Sequence, residues 1–247
     1  MESGTEAVPG KLEQPRTELH PHSKLRNVVA DVQLGVGDGL VDGSAFLAAL
    51  NAVGMAFHTI LFSGVVFAVA GGISMFVAAF FSKESELSLT KQDFEREAME
   101  VREEPEEERG ELDEILKSEG YDEKERKTML DIITREPARW LNTQVLFELH
   151  THRDELEPKS SLRALPVGLA FPAAVLLILV PYLLAISSME AIALSLVLGA
   201  LLLFVSSSTQ FTRLRGANWR AGLRSVVILL LASGALYLIG FVFKVPA

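Results

Sequence analysis

The chain contains no cysteine. Disulfides, thiolate metal sites and cysteine nucleophiles are thereby excluded, and soft-metal chemistry would have to rely on methionine. A basic excess is also missing: 32 acidic residues outnumber 23 lysines and arginines, for a net charge of −9. Nucleic acid, whose phosphates want a positive surface, is therefore not an expected partner. There is no Walker-type phosphate loop and no serine-nucleophile signature. Gly35, Gly37 and Gly39 alternate, but they lead into an apolar stretch and not into a strand–turn–helix unit. With nucleotide binding discounted, any transport runs on ion gradients, and neither an enzyme nor a prosthetic group is expected. Residues 1–24 lack the apolar run of a signal peptide and read as a disordered polar tail. His20 and His22 in that tail, and His150 and His152 further on, read as solvated side chains and not as ligands.

What the chain does have is apolar blocks and charged blocks kept apart. It is 49% hydrophobic and 22% charged with a mean hydropathy of +0.29, a combination that a membrane protein with a polar insert supplies. Stretches 34–56, 59–81, 165–186, 191–205 (extendable at both ends) and 223–243 read as bilayer crossings. Lys24 and Arg26 precede the first, and Arg213, Arg215, Arg220 and Arg224 lie between the last two. Basic residues near span ends stay cytoplasmic, which puts the N-terminus, the polar insert and the arginine loop inside. The expected fold is an all-α membrane protein with five transmembrane helices. Its divisions are a tail (1–24), helices one and two (25–81), a cytoplasmic acidic helical metal-binding insert (82–162) and helices three to five (163–247).

The first crossing carries carboxylates where lipid tolerates none. Asp38 and Asp42 are one turn apart, with Asp31 two turns before Asp38. An intramembrane carboxylate costs roughly 3 kcal/mol on insertion scales and marks an ion or proton path by default. The second crossing holds Ala70-Gly71-Gly72-Ile73-Ser74-Met75, where small residues admit a neighbouring helix and Met75 adds a thioether. Asp31, Asp38, Asp42 and Met75 are the candidate path.

Residues 82–162 hold 24 of the 32 acidic residues. Breaks at Pro105, Gly120 and Pro137 divide them into four helices, about 83–104, 106–119, 122–135 and 137–152, the first continuing the second crossing. Leu112, Ile115, Leu116, Met129, Ile132, Ile133, Trp140, Val145, Leu146, Phe147 and Leu149 are the expected core. Glu97, Glu100 and Glu104 share one helix face, and Glu108 and Glu111 sit at i, i+3 on the next helix. Paired carboxylates on facing helices can hold hard or borderline divalent ions such as Fe²⁺ or Mn²⁺. A solvated acidic face is the plainer alternative. Like charges at helical spacing are destabilising, however, and Glu148 lies in an apolar run where a charge needs a partner.

Gly37-Asp38-Gly39-Leu40, Gly72-Ile73-Ser74-Met75 running into Ser85-Glu86, and Pro137-x-x-Trp140 through Phe147-Glu148-Leu149 carry a family resemblance. The chain resembles the vacuolar iron transporter family, which includes the yeast-type vacuolar iron and manganese carriers. The resemblance covers almost everything after about Ser23. It implies a homodimer of five-helix subunits that moves Fe²⁺ and other divalent metals, Mn²⁺ among them, out of the cytosol in exchange for protons. The expected site is a plasma membrane if the chain is prokaryotic, which the short N-terminus fits, or a vacuolar membrane if it is eukaryotic. It also implies that Asp38 and Met75 line the path and that Glu97, Glu100, Glu108, Glu111 and Glu148 bind metal. Two positions depart from the family pattern: Phe67 stands where a membrane Glu is usual, and Gln144 where a Met is usual. The first makes Asp42 a candidate proton carrier; the second makes the insert site more oxygen-rich and tilts it towards Mn²⁺. The rival readings are a membrane-anchored metal buffer or sensor that does not translocate, and a membrane scaffold with an incidental acidic segment.

Overall fold

A computed structural model describes residues 21–148, 161–184, 187–209 and 218–244. The positions of His20, His150, His152, Leu149, Arg213 and Arg215 lie outside it, and the side chains of His22, Lys24 and Arg26 are likewise not described. Among the described residues all regular structure is helical: α1 (Pro21–Val53), α2 (Phe57–Glu103), α3 (Pro105–Ser118), α4 (Glu123–Ile133), α5 (Pro137–Glu148), α6 (Leu165–Leu179), α7 (Ser188–Thr209) and α8 (Trp219–Val242). Short 3₁₀ turns, Ser161–Ala164 and Val180–Leu183, flank α6. The first helix as described covers Pro21–Val53 and so includes residues 21–24 of the stretch expected to be tail.

Among the described residues four helices are long and apolar enough to cross a membrane: α2, α6 with its flanking turns, α7 and α8. The first helix falls short of that description because glycines and aspartates dilute its apolar residues. It nevertheless occupies the centre, packing against α6, α8, α7 and α2. A Cβ on Gly39 would come within 2.6 Å of the Phe171 carbonyl oxygen, so α1 and α6 pass each other backbone to backbone. Gly72 does the same for α2 and α6, since a Cβ there would lie 2.8 Å from the Gly168 carbonyl oxygen. Leu40, Leu47, Ile60, Phe171, Ile178 and Tyr182 fill the shared core, while Phe62, Ile73, Leu201, Leu231 and Leu238 point outward. An outward apolar shell over a packed interior suits lipid and not water.

Local signals set the turns. Gly54 has φ +85°; its N–H donates to the Asn51 carbonyl (3.0 Å) and that of Met55 to the Leu50 carbonyl (3.2 Å). That pair of bonds is a Schellman cap, and its left-handed residue is why glycine ends α1. Pro105 opens α3 at its first turn. At α4, the Asp122 carboxylate accepts from the Glu125 N–H (2.8 Å) and the Glu125 carboxylate from the Asp122 N–H (2.9 Å), a reciprocal capping box.

The second helix runs without a break from an apolar half into a polar half, as expected. Its last turns pack on α5 and α3, where Val101, Leu112, Leu116, Leu130 and Trp140 form a second small core. Val145 is also buried, and Met129, Ile133 and Phe147 pack against that core, but Ile132 and Leu146 are exposed, contrary to expectation. On a short helix only one stripe reaches the neighbours: Leu130 and its partners at i−1 and i+3 take it on α4, leaving Ile132 on the far side. At the junction of the two halves, the Lys83 ammonium pairs with Asp31 of α1 and donates to the Arg163 carbonyl (2.9 Å) before α6.

Candidate metal centre

Three helices converge on one group of carboxylates. The last turns of α2 carry Glu97 and Glu100, the first turns of α3 carry Glu108 and Glu111, and the end of α5 carries Gln144 and Glu148. Pro105 permits the sharp corner that folds α3 back beside α2. Glu97 and Glu108 are 1% and 5% exposed, and Glu148 is half-buried. One carboxylate oxygen from each of Glu97, Glu108 and Glu148 lies within 4.8 Å of the other two.

Like charges at that spacing repel, and burial removes the water that would screen them. Burial, followed by the fields of Glu148 and Glu108, pushes Glu97 up to about 8. Burial and the field of Glu111 push Glu108 up to about 7, and Glu111 itself is raised by burial and by Glu148. The neighbouring cations are committed elsewhere: Arg109 to Asp131 (2.6 Å), Arg126 to Asp113 (2.8 Å), Arg139 to Glu136 (2.8 Å) and Lys127 to Glu123 (2.8 Å). Among the described residues no lysine or arginine forms an ion pair with Glu97 or Glu108. A solvated acidic face would be open and paired with surface cations. Glu97 and Glu108 are instead buried, with no ion pair to either among the described residues, a setting that a divalent cation would suit.

Gln144 completes the group. Its side chain is wholly buried, and its Nε2 donates to Glu108 Oε2 (2.9 Å) and to Glu148 Oε1 (2.8 Å). Sequence reasoning noticed Gln144 only as a departure from a family pattern. Its position one turn before Glu148 was the available signal, since i and i+4 share a helix face.

The other expected ligands stand further out. Glu100 is half-buried and lies 3.6 Å from Arg96, Glu111 is exposed, and Glu104 is exposed at the corner between α2 and α3. Glu104 serves the corner through its backbone, its carbonyl accepting from Glu107 and Glu108 (3.0 and 3.1 Å).

In the membrane half, Asp38 is half-buried on α1, Asp42 is exposed one turn later, and Asp31 is ion-paired with Lys83. Met75 packs against the core built around Leu40 and Phe171. Phe67 stacks on Phe46 of α1 (ring centroids 4.5 Å apart, 11° between planes) and lies 5.8 Å from Phe171 of α6. That position is therefore filled by an aromatic bridge across three helices.

Comparison with known proteins gives a family and several relatives. The model of the VIT family matches residues 29–241. Vacuolar iron transporter 1 of Eucalyptus grandis is 28% identical over 235 residues, covering 93% of each chain. Vacuolar iron transporter 1 of Oryza sativa subsp. japonica is 30% identical over 223 residues, covering 88% of this chain and 87% of its own. Vacuolar iron transporter 1 of Arabidopsis thaliana is 29% identical over 185 residues, covering 74% and 73%.

Proposed function

The chain belongs to the VIT family, an integral-membrane metal-transport family, and on that footing we propose that it exports Fe²⁺ or Mn²⁺ from the cytosol in exchange for protons. The observation that carries the metal assignment is the convergence of Glu97, Glu108 and Glu148, one carboxylate oxygen from each within 4.8 Å of the other two and the first two residues buried. Three carboxylates with an amide beside them suit a hard or borderline divalent ion, and the trio is the capture site. Glu100 and Glu111 form its rim, and Glu104 its corner.

In this reading α1 is the fifth span. Its 33 residues reach ~50 Å, and four helices pack against it, leaving Asp38 half-buried. Asp38 offers the carboxylate of the translocation path and Met75 a polarisable thioether. Asp42 carries the exchanged proton in place of the acid that Phe67 displaces, and Asp31, held by Lys83, lies where the path meets the cytosol. The acidic helices are cytoplasmic, supported by Lys83, Arg163, Arg220 and Arg224 gathering near span ends. A homodimer is supported by the open α1–α2 face: Asp42 is exposed there, beside a groove lined by Phe46, Phe62, Val66 and Phe67. A carboxylate left facing lipid would be costly, and a second copy covers it.

The test is uptake of Fe²⁺, Mn²⁺, Co²⁺ and Zn²⁺ into proteoliposomes across a pH gradient. Uptake of Fe²⁺ or Mn²⁺ that stops when the gradient is dissipated is the expected result. A chain that binds metal but gives no uptake under any gradient is instead a membrane-anchored buffer, the reading that the Phe67 aromatic bridge favours. Asp38→Ala separates the two, because a carrier loses transport and keeps metal binding at the glutamates.

A further inference from the structure

Of the three aspartates on α1, one has a counter-charge among the described residues: Asp31 pairs with Lys83 of α2, whereas Asp38 and Asp42 form no ion pair. A fold that needed to offset a carboxylate in lipid would have placed its lysine deeper. Nor is the pair a strong brace. The Lys83 and Asp31 side chains keep 29% and 22% of their surface exposed, and pairs so open to solvent contribute little. It is nevertheless the one ion pair among the described residues that joins two helices of the membrane half. The same ammonium donates to the Arg163 carbonyl, and two residues along α1 Gln33 Nε2 donates to the Ser206 carbonyl of α7 (2.8 Å). This end of α1 is thus tied to α2, to the turn before α6 and to α7. Asp31 lies two turns before Asp38 on one face, ~10 Å along the axis, and Lys83 lies ~12 Å beyond Met75 on α2. The pair therefore sits one step outside the candidate path on both helices.

We propose that Lys83 is a resident cation at the mouth of the metal path, and that an entering divalent ion displaces it from Asp31. This rests on the transport reading, with Asp31 as the first carboxylate of the path. With no metal at the mouth, the ammonium neutralises Asp31 and holds α1 against α2 and the turn before α6. When a divalent ion arrives, Asp31 exchanges the single charge of the ammonium for the double charge of the metal. Lysine suits the exchange, because its charge sits at the end of a flexible stem and bonds as a point, without the fixed fork of arginine. The released ammonium is not stranded, since the Arg163 carbonyl remains its acceptor. Standing beside the ion, it repels it, and the next carboxylate inward is Asp38. Lys83 thus sets the metal concentration at which the path admits an ion.

The experiment measures the initial rate of Mn²⁺ uptake by the full chain in proteoliposomes across a pH gradient, as a function of Mn²⁺ concentration. Lys83→Gln should lower KM by about three- to fivefold, the scale of one partly exposed ion pair, with the saturating rate largely kept. Lys83→Met, which keeps the length of the stem, is the second neutral variant and should do the same. Lys83→Arg keeps a cation on Asp31 and should leave KM at or above the parent's. In an Asp31→Asn background, Lys83→Gln should change KM no further, because the ammonium then has no carboxylate to withhold. A brace between helices would instead show as a lower rate at unchanged KM in both neutral variants, and that result overturns the proposal. An equal fall in KM with and without Asp31 also overturns it, since the lysine then acts only through its field. A parent that takes up no Mn²⁺ overturns the transport reading together with the resident cation. A parent that takes it up, with KM unmoved in the neutral variants, overturns the resident cation alone.

Discussion

Acidifying the solution should release metal from the glutamate centre far more steeply than ordinary carboxylates would allow. Glu97, at about 8, is about nine-tenths protonated at pH 7, and Glu108, at about 7, about half. A divalent ion needs both as carboxylates, so binding displaces ~1.4 protons at pH 7, close to ~2 at pH 6 and ~0.6 at pH 8. The same arithmetic weakens apparent affinity about tenfold from pH 8 to 7 and about fiftyfold more from 7 to 6. Calorimetric titration of Mn²⁺ into the Asp38→Ala chain, repeated in buffers of different ionisation enthalpy, reads both the affinity and the protons released. Ordinary glutamates near their usual 4.5 would give a nearly flat profile over this range and almost no proton release. A flat profile would therefore refute the claim that burial and mutual repulsion hold these acids protonated.

The same raised values govern the metal-free fold. A protonated state favoured on folding contributes stability that is present below about 4.5 and is lost as pH rises through about 8. Without metal, the melting temperature should fall between pH 5 and 8, and Mn²⁺ should restore it most at the alkaline end. Leu116→Ala empties a fully buried position of the second core and should cost about 2–5 kcal/mol, read as a lower denaturation midpoint for the acidic helices. Asp42→Asn should uncouple metal uptake from the pH gradient in vesicles; unchanged proton-coupled uptake would sink its assigned role. Glu108→Gln should reduce uptake at low external Mn²⁺ and leave the rate at saturating Mn²⁺ nearly intact.

Much of the centre was readable because it is written in short-range spacing. Glu97 and Glu100, Glu108 and Glu111, and the apolar surroundings of Glu148 all mark themselves within a turn or two of helix. That three separate helices bring Glu97, Glu108 and Glu148 within 4.8 Å was not readable, because it depends on the angle at the Glu104–Pro105 corner. Nor could spacing place Glu104: it falls on the Glu97 face only if the helix continues, and α2 ends at Glu103. Asp31 shows the complementary failure. Its place in an aspartate stripe was visible, but Lys83, 52 residues away, supplies its partner, and no local pattern encodes a contact of that range. In the membrane half the aspartates announced themselves by their cost. The stacking of Phe67 on Phe46 did not, since two phenylalanines in an apolar stretch carry no signal of where they meet.

The unbroken α2 also limits what the glutamate centre can do for transport. Met75 and Glu97 lie on the same helix, ~33 Å apart at about 1.5 Å per residue. No side-chain motion spans that distance, so an ion cannot pass from the trio to the membrane path by exchanging ligands. Nor does the field of the trio reach that far through solvent, where a Debye length is about 8 Å at physiological ionic strength. An ion released from the trio must travel along the exposed acids of α2 or through water before it meets Asp31 and Lys83 at the junction. On the proposed reading the centre therefore acts in parallel with the path, raising local metal concentration, and is not an obligatory step in the crossing. That is why neutralising Glu108 is expected to shift the metal dependence of uptake without lowering its ceiling, whereas neutralising Asp38, on the path itself, removes the crossing.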